Sequence, residues 1–429
     1  MKLKSKIAIY SAKFTRKILR IFNRQATSLP GKVALTIDKD ILNELTDNTE
    51  FIFVTGTNGK TMTTAFITNI LRYKYEHTIT NDSGANMIQG IVTSLLNNRK
   101  NEDTVAIMEV DEANLRKITD FIKPDYIVLT NLFEDQLDRF KSVENTFNIV
   151  LEGIKKAKDA KIIANGDLPI FAKNKLKKYN PVYFGVDYKK GKENTYKCPE
   201  CGKELSYEYY NYENLGKYKC DNCYLRRPKR DYVVNKIIDI KPKNSTICLD
   251  DMEVSLNVGG IYNIYNATSA WALAKVMGVD DKSIKTALEG QQNLPGRQEE
   301  IFLYAKDVVM NLVKNQAGFN QVMELLKIED EFTLYFIINN NFADGRDISW
   351  LSQIDADVLK QLNYHGKIII SGMKAFEFDE ILKNMGIFDT LVIQDINNIK
   401  DNIKNQPTKK INILANYTAL NDFRKSIGL

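Results

Sequence analysis

Short apolar segments alternate with longer segments of helical periodicity along most of this chain. In its first half the apolar, partly β-branched runs are residues 51–54, 105–110, 126–130 and 161–164, and turn residues or acids and then a helical stretch follow each run. Runs of this length are typical of buried strands. Their alternation with helices predicts an α/β fold with a doubly wound, mostly parallel sheet.

A second series of strand-like runs follows a segment of different composition. Residues 189–231 are rich in Tyr, Lys, Asn and Cys. Strand-like runs then resume at residues 307–312, 333–338, 367–371, 390–394 and 411–415. The pattern predicts an N-terminal extension at 1–48, a central α/β domain at 49–300 with an insertion at 189–231, and a Rossmann-like α/β C-terminal domain at 301–429.

The segment TGTNGKT at residues 55–61 joins the first strand-like run to a helical run at 62–73. At such a junction, free backbone N–H groups and the helix dipole can hold phosphate oxygens. Lys60 would add a charge near the β- and γ-phosphates, and the Thr61 hydroxyl would be a Mg²⁺ ligand. The usual P-loop has glycine where this chain has Val54, and the alternative is a plain strand–turn–helix junction. The candidate nucleotide-binding residues here are Thr55, Gly56, Thr57, Asn58, Gly59, Lys60 and Thr61.

An acidic residue, Glu109, comes at the end of the run 105–110. Ligands of α/β sheets gather at the carboxyl ends of the strands, so Glu109 is a candidate Mg²⁺ ligand. Asp111 and Glu112 follow and could share this role, and the alternative for each is a solvated loop acid.

Four cysteines form two CxxC pairs within the inserted segment: Cys198, Cys201, Cys220 and Cys223. Four thiolates at this spacing predict a tetrahedral Zn²⁺ site with no open position, which is therefore structural. A zinc ribbon can also bind nucleic acid through stacked aromatics. We favour instead a packed ribbon whose tyrosines lie on a strand face.

Charge is concentrated at the N-terminus. The 429-residue chain has a formal net charge of +6, and residues 1–24 hold eight basic residues and no acidic one. The rest is nearly neutral, which weakens a nucleic-acid interpretation. The basic segment shows apolar residues at helical spacing, so it either lies on an anionic membrane or docks on its own domain. With no apolar run near 18 residues and no apparent signal peptide, we expect a cytoplasmic protein, and the basic segment leaves association with the inner face of the cytoplasmic membrane open.

The shortened loop at 55–61 resembles the phosphate loop of the Mur ligase family, which includes folylpolyglutamate synthetases. Those enzymes use ATP to convert a carboxylate into an acyl phosphate that an amine attacks. The resemblance implies a metal-binding role for Glu109, contacts of Asn263 and Asn266 near the nucleotide base, and Arg297 facing the phosphates. Residues 130–140 resemble a further family stretch, with Gln136 where many relatives have histidine.

Within this family, the chain resembles the Mur-ligase-like subunits of lipid II isoglutaminyl synthases. The resemblance rests on the missing substrate domain, the four-cysteine ribbon and the stretches at residues 81–87, 311–315, 343–350 and 416–418. It implies ATP- and Mg²⁺-dependent amidation of the α-carboxylate of D-glutamate in the lipid II stem peptide. It also implies a class I glutaminase partner of the GatD type, which would supply ammonia.

The partner's histidine would need a carboxylate to orient it, and the resemblance places that carboxylate in the DGRD run at 344–347. Asp347 is our choice and Asp344 the reserve, while Asp347 could also be a helix N-cap. The candidate catalytic residues are thus Lys60, Glu109 and Asp347. The alternative functions are a ligase that adds an amino acid, a nucleic-acid-stimulated zinc-ribbon P-loop ATPase, and a non-catalytic subunit.

Overall fold

The computed structural model describes residues 2–22, 27–46, 48–81, 85–96, 103–134 and 142–429. Residues 82–84 of the motif at 81–87, and Gln136 with its neighbours at 135–141, lie outside the described residues. None of the described helices is both long and apolar enough to cross a bilayer.

The strands are numbered in chain order over the described residues: β1 (Thr49–Thr55), β2 (His77–Thr80), β3 (Thr104–Glu109), β4 (Tyr126–Leu129), β5 (Lys161–Asn165), β6 (Val182–Val186), β7 (Ser206–Tyr212), β8 (Leu215–Lys219), β9 (Tyr232–Val234), β10 (Lys236–Ile240), β11 (Ser245–Leu249), β12 (Met252–Leu256), β13 (Glu299–Leu303), β14 (Lys306–Leu312), β15 (Thr333–Ile337), β16 (Ile368–Ser371), β17 (Thr390–Val392) and β18 (Lys410–Ala415).

The helices are numbered in the same way: α1 (Leu3–Ile21), α2 (Leu29–Ile37), α3 (Ile41–Leu45), α4 (Lys60–Leu71), α5 (Ile88–Leu95), α6 (Glu112–Ile118), α7 (Val143–Lys156), α8 (Asn174–Lys177), α9 (Ile261–Val276), α10 (Asp281–Glu289), α11 (Gln316–Leu326), α12 (Ala356–Lys360), α13 (Ala375–Asn384), α14 (Ile399–Lys404) and α15 (Tyr417–Ser426). Short 3₁₀ helices span Pro169–Ala172, Phe342–Asp344, Ser349–Gln353 and Ile396–Asn398.

A seven-stranded sheet forms the centre of the first part of the chain, in the order β2-β3-β1-β4-β5-β6-β9. All of its neighbouring strands run parallel. The six residues of β3 are all buried, as expected for a strand covered on both faces. The predicted parallel α/β sheet is confirmed, and its central strands are those that the apolar runs predicted.

The last part of the chain forms a six-stranded sheet in the order β13-β14-β18-β15-β16-β17. Only the β13–β14 pair is antiparallel, and the other pairs are parallel. Two apolar clusters cover its faces, one around Phe319 and Phe378 and the other around Ile413 and Phe423. The carboxyl ends of β14 and β18 lead into residues 313–315 and 416–418, two of the stretches that carried the resemblance.

Two smaller sheets lie between β6 and α9 in the chain. The hairpin β7–β8 carries the cysteine-rich insertion, and β10, β11 and β12 form a three-stranded antiparallel sheet. Helix α9 begins at Ile261, directly after Gly260, whose φ of 92° gives the backbone the turn that starts the helix.

Candidate active site

The phosphate loop lies between β1 and α4, as the sequence predicts. Gly56 and Gly59 have φ values of 138° and 83°, which favour glycine. A Cβ atom at Gly59 would lie 2.1 Å from Oδ1 of Asn266, so the loop and α9 touch without room for a side chain. The loop leads directly into the N-terminus of α4, where phosphate oxygens are favoured.

Asn131, which follows β4, holds this loop in place. Its Oδ1 accepts a hydrogen bond from the backbone N–H of Asn58 at 2.9 Å, and its Nδ2 donates to the carbonyl of Asn58 at 3.0 Å. The backbone N–H of Thr57 donates to the carbonyl of Asn131 at 2.9 Å. Thr55 is buried at the end of β1. These contacts occupy the N–H groups of Thr57 and Asn58 and hold the loop in one conformation.

The Lys60 side chain is folded back over the loop and is buried. Its Nζ donates to the carbonyl of Gly56 and lies 3.4 Å from Oε2 of Glu112. Burial raises the pKa of Glu112, and the Lys60 ammonium opposes that shift. Sequence reasoning had considered Glu112 as a metal ligand, whereas the structure places it against the lysine.

Thr61 and Glu109 meet at the start of α4. The Thr61 hydroxyl donates to Oε2 of Glu109 at 2.9 Å. Asn81 fixes the backbone of Glu109, because its Nδ2 donates to the Glu109 carbonyl and its Oδ1 accepts from the Glu109 N–H, both at 2.8 Å. A hydroxyl and a carboxylate side by side are oxygen donors of the kind that Mg²⁺ prefers, so these residues fit the metal. Asp111 instead caps α6, since its Oδ1 accepts from the N–H of Ala113.

A cavity of about 950 Å³ opens over the phosphate loop. Asn263 and Asn266, in the first turns of α9, line it together with Arg297. Burial lowers the pKa of Arg297, and the Glu109 carboxylate opposes this shift. The structure therefore brings all three residues, which the resemblance assigned to the nucleotide, into the cavity that contains the loop.

The C-terminal sheet contributes residues to the same cavity, and sequence reasoning did not assign them a role in the site. Asn58 and Asn315 exchange two side-chain hydrogen bonds, of 3.1 and 3.0 Å. Asn315 also caps α11, because its Oδ1 accepts from the N–H of Gly318 at 2.8 Å. Lys314 lines the cavity beside it, and its charge, like that of Lys60, opposes the rise that burial causes in the pKa of Glu112. The asparagine's position just before a helix was the available signal, but that signal indicates a cap and not a contact 257 residues away.

The DGRD run at 344–347 has two carboxylates in different surroundings. Asp344 is buried; its Oδ1 accepts from the N–H of Thr418 at 2.7 Å, and its Oδ2 from the N–H of Asn341 at 3.1 Å. Asp347 is partly exposed, and its Oδ1 accepts from the N–H of Ser349 at 2.8 Å. Within the described part of the chain, no hydrogen bond reaches its Oδ2. The N-cap residue of the 3₁₀ helix at 349–353 is Ile348, so Asp347 is not the cap that the sequence allowed. One Asp347 oxygen holds the first N–H of that helix, and the other remains available to an incoming group.

The four cysteines of the insertion lie together, with all four Sγ atoms within 4.8 Å of one another. The Sγ atoms of Cys198 and Cys223 are 3.5 Å apart, and those of Cys201 and Cys220 are 3.6 Å apart. A tetrahedral zinc with bonds of about 2.3 Å separates its sulfurs by about 3.8 Å, so the four thiols fit this ion.

The tyrosines of the hairpin pack within the protein. Tyr207 and Tyr210 stack with ring centroids 4.3 Å apart, and Tyr212 packs edge-on against Tyr265 of α9 at 5.4 Å. Tyr212 also lines the cavity above the phosphate loop. The ribbon therefore supports one wall of that cavity.

We expect Cys220→Ser to remove bound zinc and to lower the melting temperature by about 5 °C or more, because zinc-binding free energy is folding free energy. Elemental analysis and thermal unfolding of the purified chain would measure both effects. Cys248→Ser is the matched control, since Cys248 lies in β11 and is not part of the cluster. Full zinc content in the Cys220 variant would contradict a four-thiolate site.

Comparisons with known proteins agree with this geometry. Residues 54–274 match the Mur ligase middle domain, and residues 312–420 match the MurT ligase C-terminal family. A pseudomurein peptide ligase type C from Methanothermus fervidus has the same fold, with a TM-score of 0.67 and 23% identity over 91% of this chain and 80% of that one. The predicted Mur-ligase-like α/β fold with a C-terminal domain is confirmed.

Two curated relatives match nearly end to end. The lipid II isoglutaminyl synthase (glutamine-hydrolyzing) subunit MurT of Streptococcus pneumoniae is 38% identical over 100% of this chain and 98% of its own length. The subunit of the same name from Staphylococcus aureus is 30% identical, covering 96% of this chain and 95% of its own. The chain therefore belongs to the Mur ligase family and, within it, to the MurT subunits of glutamine-hydrolysing lipid II isoglutaminyl synthases.

Proposed function

We propose that this chain amidates the α-carboxylate of D-glutamate in the stem peptide of lipid II to D-isoglutamine, using ATP, as a step of peptidoglycan biosynthesis. The observation that carries the proposal is its similarity to MurT subunits along the whole chain. That similarity includes both the phosphate loop and the C-terminal segment, which line one cavity.

The reaction requires a phosphoryl transfer followed by an acyl transfer. The γ-phosphoryl group of ATP passes to a carboxylate oxygen, giving ADP and an acyl phosphate. Ammonia then forms a bond to the acyl carbon, phosphate leaves with the electrons of the C–O bond, and the nitrogen loses a proton to solvent. Each step develops or moves negative charge, so positioning and charge neutralisation supply most of the catalysis.

The residues of the loop suit the first of these steps. In our proposal, the backbone N–H groups of Gly59, Lys60 and Thr61 hold the phosphates, and Lys60 moves from the Gly56 carbonyl to the β- and γ-phosphates. Thr61 and Glu109 would hold Mg²⁺, which when bound neutralises phosphate charge. Arg297 lines the same cavity, and its partly buried guanidinium would be a further cation for the transferred group.

We propose that a class I glutaminase subunit supplies the ammonia and that Asp347 orients its histidine. Support comes from the two carboxylates of the DGRD run: both oxygens of Asp344 are occupied within the chain, whereas Asp347 keeps one oxygen accessible. The bond to Ser349 would hold the Asp347 side chain in one orientation, which a positioning residue requires.

Mass spectrometry of lipid II tests the reaction. The full-length chain, purified with its glutaminase subunit, is incubated with lipid II, ATP, Mg²⁺ and glutamine. Conversion of an acid to an amide lowers the mass by about 1 Da, as expected when nitrogen replaces oxygen at an acyl centre. A gain equal to an amino-acid residue would favour the alternative ligase, and an unchanged mass with intact ATP would contradict the proposal.

A further inference from the structure

Helix α1 docks on the protein through its small residues. Its buried residues are Ser5, Ala8 and Ala12, which pack toward α2. The Ser5 hydroxyl donates to Oδ2 of Asp38, the residue that follows α2, at 2.6 Å. This buried hydrogen bond and the close approach that alanine permits fix which face of α1 points inward.

Ile9 packs partly buried against the core, but most of the large apolar residues of α1 lie on the opposite face. They recur every three or four residues, so they form one stripe along the helix. Their exposed fractions are high: Leu3 75%, Ile7 51%, Tyr10 73%, Phe14 66%, Ile18 38% and Ile21 69%. The sequence had left open whether this stripe docks on its own domain, and in the structure it does not. A contiguous exposed apolar patch is uncommon on a monomer and indicates a binding surface.

The charge next to this stripe has a single sign. Residues 2–22 contain seven basic residues and no acidic one. By helical spacing, Lys6, Lys13, Lys17 and Arg20 fall along one border of the apolar stripe, and Lys4 falls on the other. Long basic side chains beside an apolar stripe can keep their charges at the level of lipid headgroups while the stripe enters the acyl boundary.

We propose that α1 is a docking helix for an anionic lipid surface and lies in the plane of the membrane. A second copy of the chain is a poorer occupant, because it would bring two sets of like charges together. The helix fails the requirements of a membrane span, so it would bind at the interface. Apolar insertion combined with basic attraction supplies the two signals that stable peripheral binding needs. This inference rests on α1 alone and does not depend on the proposed reaction.

Vesicle flotation of the full-length chain, alone and with its glutaminase subunit, tests the inference. The probes are phosphatidylcholine vesicles with and without about 30% phosphatidylglycerol. We expect binding to the anionic vesicles, at least about a 10-fold weaker response with the neutral ones, and release by high salt.

Two matched pairs of variants assign the binding to α1. Ile7→Ser/Phe14→Ser removes part of the stripe, while Phe302→Ser/Phe388→Ser changes two phenylalanines that are equally exposed elsewhere. Lys13→Glu/Lys17→Glu reverses two charges, while Lys155→Glu/Lys158→Glu does so on another exposed surface. We expect each α1 variant to lower vesicle binding at least about 10-fold and each control to retain it.

Three outcomes would overturn the inference. The first is equal binding to neutral and anionic vesicles. The second is vesicle binding that the α1 variants leave unchanged. The third is an oligomer, or a complex with the glutaminase subunit, that light scattering shows and that the Ile7→Ser/Phe14→Ser variant disrupts, since a protein would then cover the stripe. ATP binding by every variant would serve as the check on folding.

Discussion

Lys60→Met is expected to lower the rate of lipid II amidation by about 10³-fold, because it removes the cation that we propose neutralises the transferred phosphoryl group. Methionine retains most of the volume of the lysine stem, so the loop and the start of α4 keep their packing. The measurement is the initial rate of mass conversion of lipid II with saturating ATP, with glutamine and with free ammonia. Both nitrogen sources should show the same loss, since phosphoryl transfer precedes the use of either.

The stability of this variant needs a separate control, because Lys60 also neutralises a buried carboxylate. Burial raises the pKa of Glu112, and Lys60 is the larger of two cationic contributions that oppose the shift. Without the lysine, Glu112 loses its ion-pair partner at 3.4 Å. We therefore expect Lys60→Met to lower the melting temperature, and Lys60→Met/Glu112→Gln to recover much of it, since an amide carries no buried charge.

The double variant separates charge from structure. If stability returns and amidation stays about 10³-fold low, the lysine acts on the phosphates. If amidation returns together with stability, the lysine serves the fold alone, and the phosphoryl-transfer role assigned to the loop is wrong.

The sequence was sufficient for the parts of this molecule that depend on local patterns. The runs at 51–54 and 105–110 predicted buried strands, and Thr61 and Glu109, which follow and end them, were both expected to be Mg²⁺ ligands. The structure places the Thr61 hydroxyl 2.9 Å from Oε2 of Glu109. Edge strands gave weaker signals. Strand β2 is half-buried and only four residues long, and β9 has three residues, so neither shows an apolar run.

Contacts between segments that are distant in the chain could not be predicted from the sequence. Asn58 and Asn315 are 257 residues apart, and each asparagine alone is typical of a turn or a cap. Glu112 looked like a loop acid because only the folded chain shows that it is buried against Lys60. Which face of α1 packs against the protein also could not be predicted. An amphipathic helix normally buries its large apolar residues, whereas here Ala8 and Ala12 are buried.

Asp347→Asn is expected to lower glutamine-dependent amidation by about 10³- to 10⁴-fold and to leave ammonia-dependent amidation within about 2-fold of the parent rate. The amide oxygen of asparagine can still accept from the Ser349 N–H, so this 2.8 Å hydrogen bond is retained. What the substitution removes is the negative charge that would stabilise and orient the partner's imidazolium. The ratio of the two rates, measured on the purified complex, is the readout.

Asp344→Asn is the matched control, three residues away in the same loop. Its carboxylate accepts from the N–H groups of Thr418 and Asn341, so an amide at this position disturbs the start of α15 and the 3₁₀ helix at 342–344. We expect a lower melting temperature and an equal loss of amidation with glutamine and with ammonia, because the whole site shifts.

If Asp347→Asn behaves in this same way, the role of Asp347 is only to hold the Ser349 N–H. If Asp344→Asn alone separates the two nitrogen sources, then the buried carboxylate orients the histidine, and the subunits must rearrange on binding to expose it.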